Sequence, residues 1–268
     1  MATPMKQPID TPLPSAVGLT HLKVYDTLAP DGLRGGSPHV HCACTECYYV
    51  QGGHGRVQTL SATDGFEETD LVPGDVVWFA PGVIHRLINL DGMLEIFVVM
   101  QNSGLPEAGD FVLTMPREIL TSKSAYSDAA SLSPHGEVFA HSVDAAYRRR
   151  DLAVSGFIAL CDDVARRGSA PLEEFYAAAI DLIRSKVEQW EAVWRNGPLA
   201  SATTTGQILM GIRDGYIDHL MDGALCKISA PSGDRRLGMC GTLGVYLPEG
   251  ATVAQRFRTI NGEVDEVA

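Results

Sequence analysis

The stretch His39–Tyr49, HVHCACTECYY, decides how this chain is read, because it holds two sets of metal-binding side chains at once. His39, His41 and Glu46 stand at H-x-H-x4-E spacing, while Cys42, Cys44 and Cys47 form a thiol cluster containing a C-x-x-C. On a strand, side chains alternate between faces, so His39 and His41 share a face and both imidazoles can reach one ion. Glu46 sits at an odd offset from His41, which requires a turn between them before its carboxylate can point the same way from the next strand. The same alternation puts Cys42 and Cys44 on the face opposite the histidines and Cys47 opposite Glu46, where thiols pack as small hydrophobes beneath the helices that follow. A closed zinc site needs four ligands, and Cys161, Cys226 and Cys240 supply no second pair.

The inward set finds a partner downstream. In GDVVWFAPGVIHRLIN, residues 74–89, a strand is followed by the turn residues Pro81 and Gly82 and then by a returning strand with His85 and Asn89. That return brings His85 toward the first two histidines, giving three neutral imidazoles and one carboxylate around a single ion. A shell of three nitrogens and one oxygen with open positions suits Fe, Mn, Ni, Cu, Co or Zn. The setting agrees: from Leu19 to Pro116 short apolar segments such as CYYVQ, GRVQTLS, DVVWFA and LEIFVVM are divided by Gly, Pro and Asp, as in an antiparallel sandwich or barrel.

At these residues the chain resembles the cupin superfamily. His39, His41, Glu46 and Gly53 match that family's first motif, G-x5-H-x-H-x3,4-E-x6-G. Gly74, Gly82, His85 and Asn89 match its second, G-x5-P-x-G-x2-H-x3-N. Leu33 stands where the first motif begins with Gly, and Pro81 is one place late; neither position is a ligand. The resemblance implies a jelly-roll barrel, a double-stranded β-helix, with one divalent metal ion on His39, His41, Glu46 and His85. It leaves the reaction open, since cupins include oxygenases, decarboxylases, isomerases, epimerases, storage proteins and sugar-binding regulators.

The 268 residues can bury a sizeable core, and the fold class expected is mainly β with a helical segment. Residues 1–16 read as a flexible, Pro-rich arm, 17–122 as the barrel, 123–223 as the helical segment and 224–268 as C-terminal strands. In the helical segment DLAVSGFIALCDDVARRG is one helix ending on Gly168. The next, over 171–196, buries a stripe from Leu172 to Trp194 and ends on Gly197, and a third covers Thr204 to Met221. Strands are expected again in ALCKISA, GMCGTLGVYLP and ATVAQRFRTI. Near the end Gly250, Arg256, Arg258 and Glu263 repeat the first motif with Arg for His, which cannot ligate a metal: the terminal strands either complete or extend the first sheet as an ordinary hairpin or are a degenerate second half.

The formal net charge of −12 opposes nucleic acid and anionic membranes as partners. The N-terminus lacks the apolar segment of a secretory signal and no run is long enough to span a bilayer, so a cytoplasmic protein with reduced thiols is expected. The partners expected are a small-molecule substrate and a second copy of the chain, because sheet edges and the 171–196 helix need cover.

Metal-assisted isomerisation or epimerisation of a sugar-like or keto/hydroxy substrate is the first reading. It draws on a resemblance of PGVIHRLINLDGMLEIFVVMQ to the sugar-phosphate isomerase branch of cupins. A metal-dependent dioxygenase is the alternative, and a non-catalytic sensing cupin the third. Tyr48, which shares parity with Glu46, and Glu95 are the catalytic candidates, and His54 is a further candidate base. Arg56, Trp78 and Arg86 are secondary pocket candidates, and His219 with Asp222 suggests no second metal site.

Overall fold

The computed structural model describes residues 13–132 and 142–246. The expected second motif at Gly250–Glu263 and most of the N-terminal arm therefore lie outside the described residues. Eleven strands are found there: β1 Gly18–Val24, β2 His39–Val40, β3 Glu46–Gly52, β4 Gly55–Ser61, β5 Gly65–Leu71, β6 Val76–Phe79, β7 Ile84–Asn89, β8 Glu95–Met100, β9 Val112–Leu113, β10 Arg236–Leu237 and β11 Gly241–Tyr246. They form two antiparallel sheets in the orders β10-β11-β1-β8-β3-β6 and β5-β4-β7-β2-β9, a jelly-roll arrangement.

Two hydrophobic layers follow from strand alternation. Between the sheets lie Tyr48, Val50, Val57, Phe79, Leu87, Ile96 and Val98. On the outer face of the second sheet, Val40, Leu60 and Ile84 pack against Phe157, Leu172 and Phe175 from the helices. Val40 and Ile84 each adjoin a candidate ligand, His39 and His85. Burying the apolar neighbour outward therefore fixes the histidine inward, and a one-residue slip in register would reverse both.

The helices are α1 Arg117–Leu120, α2 Lys123–Ala130, α3 Val143–Arg167, α4 Ala170–Ile183, α5 Val187–Trp194, α6 Ala200–Arg213 and α7 Asp218–Met221. Helix α3 starts well before the segment expected from sequence, because the Ser142 hydroxyl accepts from the Ala145 amide and caps its first turn; it ends on Gly168 at φ 69°. It lies close against the end of the barrel at Gly156, where a Cβ would stand 2.1 Å from the Thr114 carbonyl oxygen.

Four expectations need correction. The single helix over 171–196 is broken by a 3-10 turn at Arg184–Lys186. Gly197 and Pro198 do not stop the chain but are carried in a π turn, Arg195–Leu199, whose wider winding accommodates the missing proline N–H on the way into α6. The expected third helix is divided at Gly215, which adopts φ 81° between α6 and α7. The segment ALCKISA, residues 224–230, forms no strand and is largely exposed, Leu225 at 97%. Of the expected C-terminal strands, β10 and β11 extend the first sheet, one of the two arrangements expected, β11 pairing with β1 from Leu19↔Tyr246 to Val24↔Gly241. Among the described residues no helix is long and apolar enough to cross a membrane.

Candidate metal centre

His39 and His85 are direct cross-strand partners on β2 and β7, and Glu46 opens β3. His41 lies just past the end of β2, so it reaches the same side from a bend rather than from a continuous strand. Its carbonyl accepts the Gly82 amide at 2.9 Å, a bond that ties the turn before His85 to the first motif. Gly82 holds φ 94°, which favours glycine there.

One potential ligand atom from each of His39, His41, Glu46 and His85 lies within 4.8 Å of all the others. Relative exposures are 1%, 5%, 6% and 1% in that order. Each ring is oriented by a backbone carbonyl at Nδ1: Ser37 for His39 at 2.9 Å, Val83 for His85 at 3.0 Å, and Asp110 for His41. All three Nε2 atoms are thereby turned toward Glu46 Oε2, at 4.0 Å from His39, 3.5 Å from His41 and 2.8 Å from His85. Yet His39 Nε2, His85 Nε2 and Glu46 Oε2 are buried without a hydrogen-bond partner of proper geometry. Orphaned polar atoms converging on one point, with the distal ring nitrogens already engaged, are the arrangement expected of a cation site. The donor set fits a divalent transition metal, with imidazole nitrogens and a carboxylate oxygen as ligands.

The electrostatics agree. Burial pulls the His39 imidazole well below its usual range, helped by repulsion from His85 and His41, so it stays neutral and able to ligate. For His41 burial acts downward too, but hydrogen bonding to Asp110 and Glu46 prevails and holds it up to about 10. Burial acts upward on Glu46, and the neighbouring His85 and His41 overcome it, keeping the carboxyl ionised well below the usual range.

The thiols do not join the cluster. Cys44 is fully buried and Cys42 half-buried in the layer beneath the helices. Burial pushes the Cys42, Cys44 and Cys47 thiols upward, away from the thiolate that a metal needs.

The structure separates the two catalytic candidates. Tyr48 projects into the barrel, 0% exposed, with its ring 6.1 Å from that of His85. Its hydroxyl has no hydrogen-bond partner, and burial together with the Glu46 charge pushes its pKa well up. Glu95 is not brought to the site. Glu46 pairs with Met100 on β8, and residue 95 lies at the other end of that strand on the opposite face, where it bonds His21 at 2.9 Å and Lys23 at 2.7 Å. His54 is exposed and bonded to Asp91. Arg56 pairs with Glu68 and Asp70 on the surface, and Trp78 is exposed on the outer face of the edge strand. Arg86 is buried on the outer face of β7, held by Asp31 and Gln58. His219 and Asp222 lie in an exposed part of the chain.

Five participants escaped sequence reasoning. Ser37, Val83 and Asp110 act through main-chain carbonyls, which no residue type announces. Phe79 stacks on His85 at 4.5 Å between centroids and 6° between planes, fixing that ring on its free side. Cys240, two hundred positions away, enters the core between the sheets because the chain before β11 bridges them. Tyr25 donates its amide to Cys240 O at 3.0 Å, and Ser37 donates to Met239 O from its amide at 3.1 Å and from its hydroxyl at 2.8 Å.

Residues 18–127 match the family model described as Cupin. No curated protein matches the chain. Similar solved structures include Drosophila melanogaster CENP-C bound to CAL1, at 18% identity and TM-score 0.25 over 31% of this chain and 62% of that one. KdgF from Halomonas sp. is similar at 24% identity and TM-score 0.22 over 25% and 57% of the two chains. Oxalate decarboxylase from Bacillus subtilis is similar at 24% identity and TM-score 0.24 over 25% and 17%. The chain thus spans less than two thirds of the length of each.

Proposed function

Residues 18–127 are a cupin domain, and from that premise we propose that the chain is a metal-dependent enzyme that oxidises a small organic substrate beside one ion held by His39, His41, Glu46 and His85. When bound, a redox-active ion at such a site supplies a binding and activation point for dioxygen and substrate together.

The observation that carries this reading is what surrounds the four ligands. The interior next to them is apolar, with Phe79 stacked on His85, Phe111 at 6.5 Å from the His41 ring, and Val98 and Met100 facing in from β8. Such walls exclude water. Tyr48 also projects toward the cluster, and its raised pKa keeps the phenol protonated, so it would act as a hydrogen-bond donor to a substrate and not as a base. Isomerisation through an enediolate needs a base, and Glu95 and His54 stand elsewhere. The burial of all four ligands limits the substrate to a small molecule, and the acidic chain disfavours a phosphorylated one.

The test is elemental analysis of protein purified without added metal, followed by dioxygen consumption with small keto, hydroxy and carboxylic acids. Iron, manganese, nickel or copper at about one ion per chain, with substrate-dependent oxygen uptake, supports the reading. Zinc as the resident ion returns the isomerase or lyase alternative. A well-folded chain that takes up no metal overturns both, leaving a sensing domain.

A further inference from the structure

We propose that the loop before β9 and the helices packed on it position the metal centre: they grip His41 from two sides, with Asp110 of the loop and Trp190 and Tyr176 of the helices as the positioning residues. The inference rests on the metal-binding reading of the four ligands and concerns parts of the chain outside both sequence motifs.

The first grip acts on the His41 ring. Its Nδ1–H is directed at the Asp110 main-chain carbonyl, and the Asp110 carboxylate, itself 0% exposed, lies 3.8 Å from the same nitrogen. The other carboxylate oxygen of Asp110 accepts the Cys42 amide at 3.0 Å and the Ala43 amide at 2.9 Å, clamping the chain that immediately follows His41. One residue therefore fixes both the ring and the backbone of this ligand. Asp110 is held in turn by a compact loop, with Ala108 N donating to Gly104 O and Asp110 N to Leu105 O, each at 3.0 Å. Helix α5 pins that loop. The Trp190 indole N–H donates to Ala108 O at 3.2 Å, and Val193 fills the space beside Gly104, where a Cβ would stand 2.6 Å from it.

The second grip acts on the His41 main chain. The Tyr176 hydroxyl of α4 donates to Gly82 O at 2.6 Å, and the Gly82 amide donates to His41 O at 2.9 Å. His41 most needs this support, because it alone of the three histidines lies outside a strand. Partners that orient a metal-ligating imidazole commonly change affinity by about 10- to 100-fold when removed.

The experiment titrates cobalt(II) into the full chain and into four variants, recording affinity and the visible d–d spectrum, alongside thermal unfolding of the metal-free proteins. Asp110→Ala is expected to weaken cobalt binding about 10- to 100-fold and to shift the d–d bands. Asp110→Asn, whose side-chain oxygen can still accept the two amides, restores most of the affinity. Tyr176→Phe keeps its ring and loses one donor, while Trp190→Phe loses its donor together with part of the indole; each lowers affinity about three- to tenfold, the worth of one hydrogen bond. These two keep the test decisive if Asp110→Ala does not fold. Variants that lower the unfolding temperature while binding cobalt with wild-type affinity and spectrum overturn the proposal, showing packing alone. Absence of cobalt binding by the wild-type chain overturns this proposal and the metal reading together.

Discussion

Removing the Tyr48 hydroxyl is expected to move stability and function in opposite directions. The phenol is fully buried, its oxygen has no hydrogen-bond partner of proper geometry, and the neighbouring Glu46 carboxylate adds to burial in raising its pKa. A buried polar group left unsatisfied costs about 1–3 kcal/mol relative to its hydrated state. Tyr48→Phe keeps the ring packed edge-on against Phe79, with centroids 5.2 Å apart, so it removes that cost without opening a cavity. The metal-free variant should be more stable by about 1–2 kcal/mol. At ~2–4 °C per kcal/mol for a chain of this size class, that is a rise of several degrees. Loss of the donor at the site should lower turnover by about 10²–10⁴-fold if the phenol supplies a proton, while metal affinity changes little. Urea unfolding of both metal-free proteins, with cobalt titration as control, measures this. A loss of stability in Tyr48→Phe would refute the reasoning, because it would mean that the hydroxyl is well bonded in the folded chain.

Other predictions test neighbouring steps. Gly156→Ala should destabilise the protein by about 1–3 kcal/mol in denaturant unfolding, since the new methyl meets the Thr114 and Pro116 main chain rather than a yielding side chain; an unchanged midpoint would show that α3 can shift freely. Because His41 is held protonated up to about 10 in the metal-free protein, above its unfolded value, a metal must displace its proton. Affinity should therefore rise about tenfold per pH unit between pH 7 and 9, with about one proton released per ion. Calorimetry in buffers of different ionisation enthalpy reads the proton count, and a pH-independent constant contradicts it. Replacing Cys44 and Cys47 together with Ser should leave metal stoichiometry intact, while His41→Ala abolishes binding; equal losses would return the thiols to the site.

The barrel and its four candidate ligands were legible because each depends on residue type and spacing within about fifty positions. Alternation places His39 and Glu46, and the Pro81–Gly82 turn returns His85. What sequence could not show depends on register and on main-chain groups. Glu95 looked like a pocket residue until the Glu46↔Met100 pairing put it on the other face of β8. Asp110 sits in a Gly-punctuated loop, and its main role comes from a carbonyl that every residue has. Residues 224–230 have a strand-like pattern, but a strand forms only by pairing, and it is β11, not this segment, that pairs with β1. The π turn through Pro198 likewise owes nothing to local propensity; helices on both sides carry it.

X-ray absorption of the metal-loaded chain tests the central claim most directly, because it reads which elements touch the ion. A single ion per chain with a shell of nitrogen and oxygen neighbours alone, at about 2.0–2.2 Å, and imidazole multiple scattering is the expected result. A sulfur neighbour near 2.3 Å would contradict it, and would assign the ion to the cysteines of HVHCACTECYY instead of its histidines.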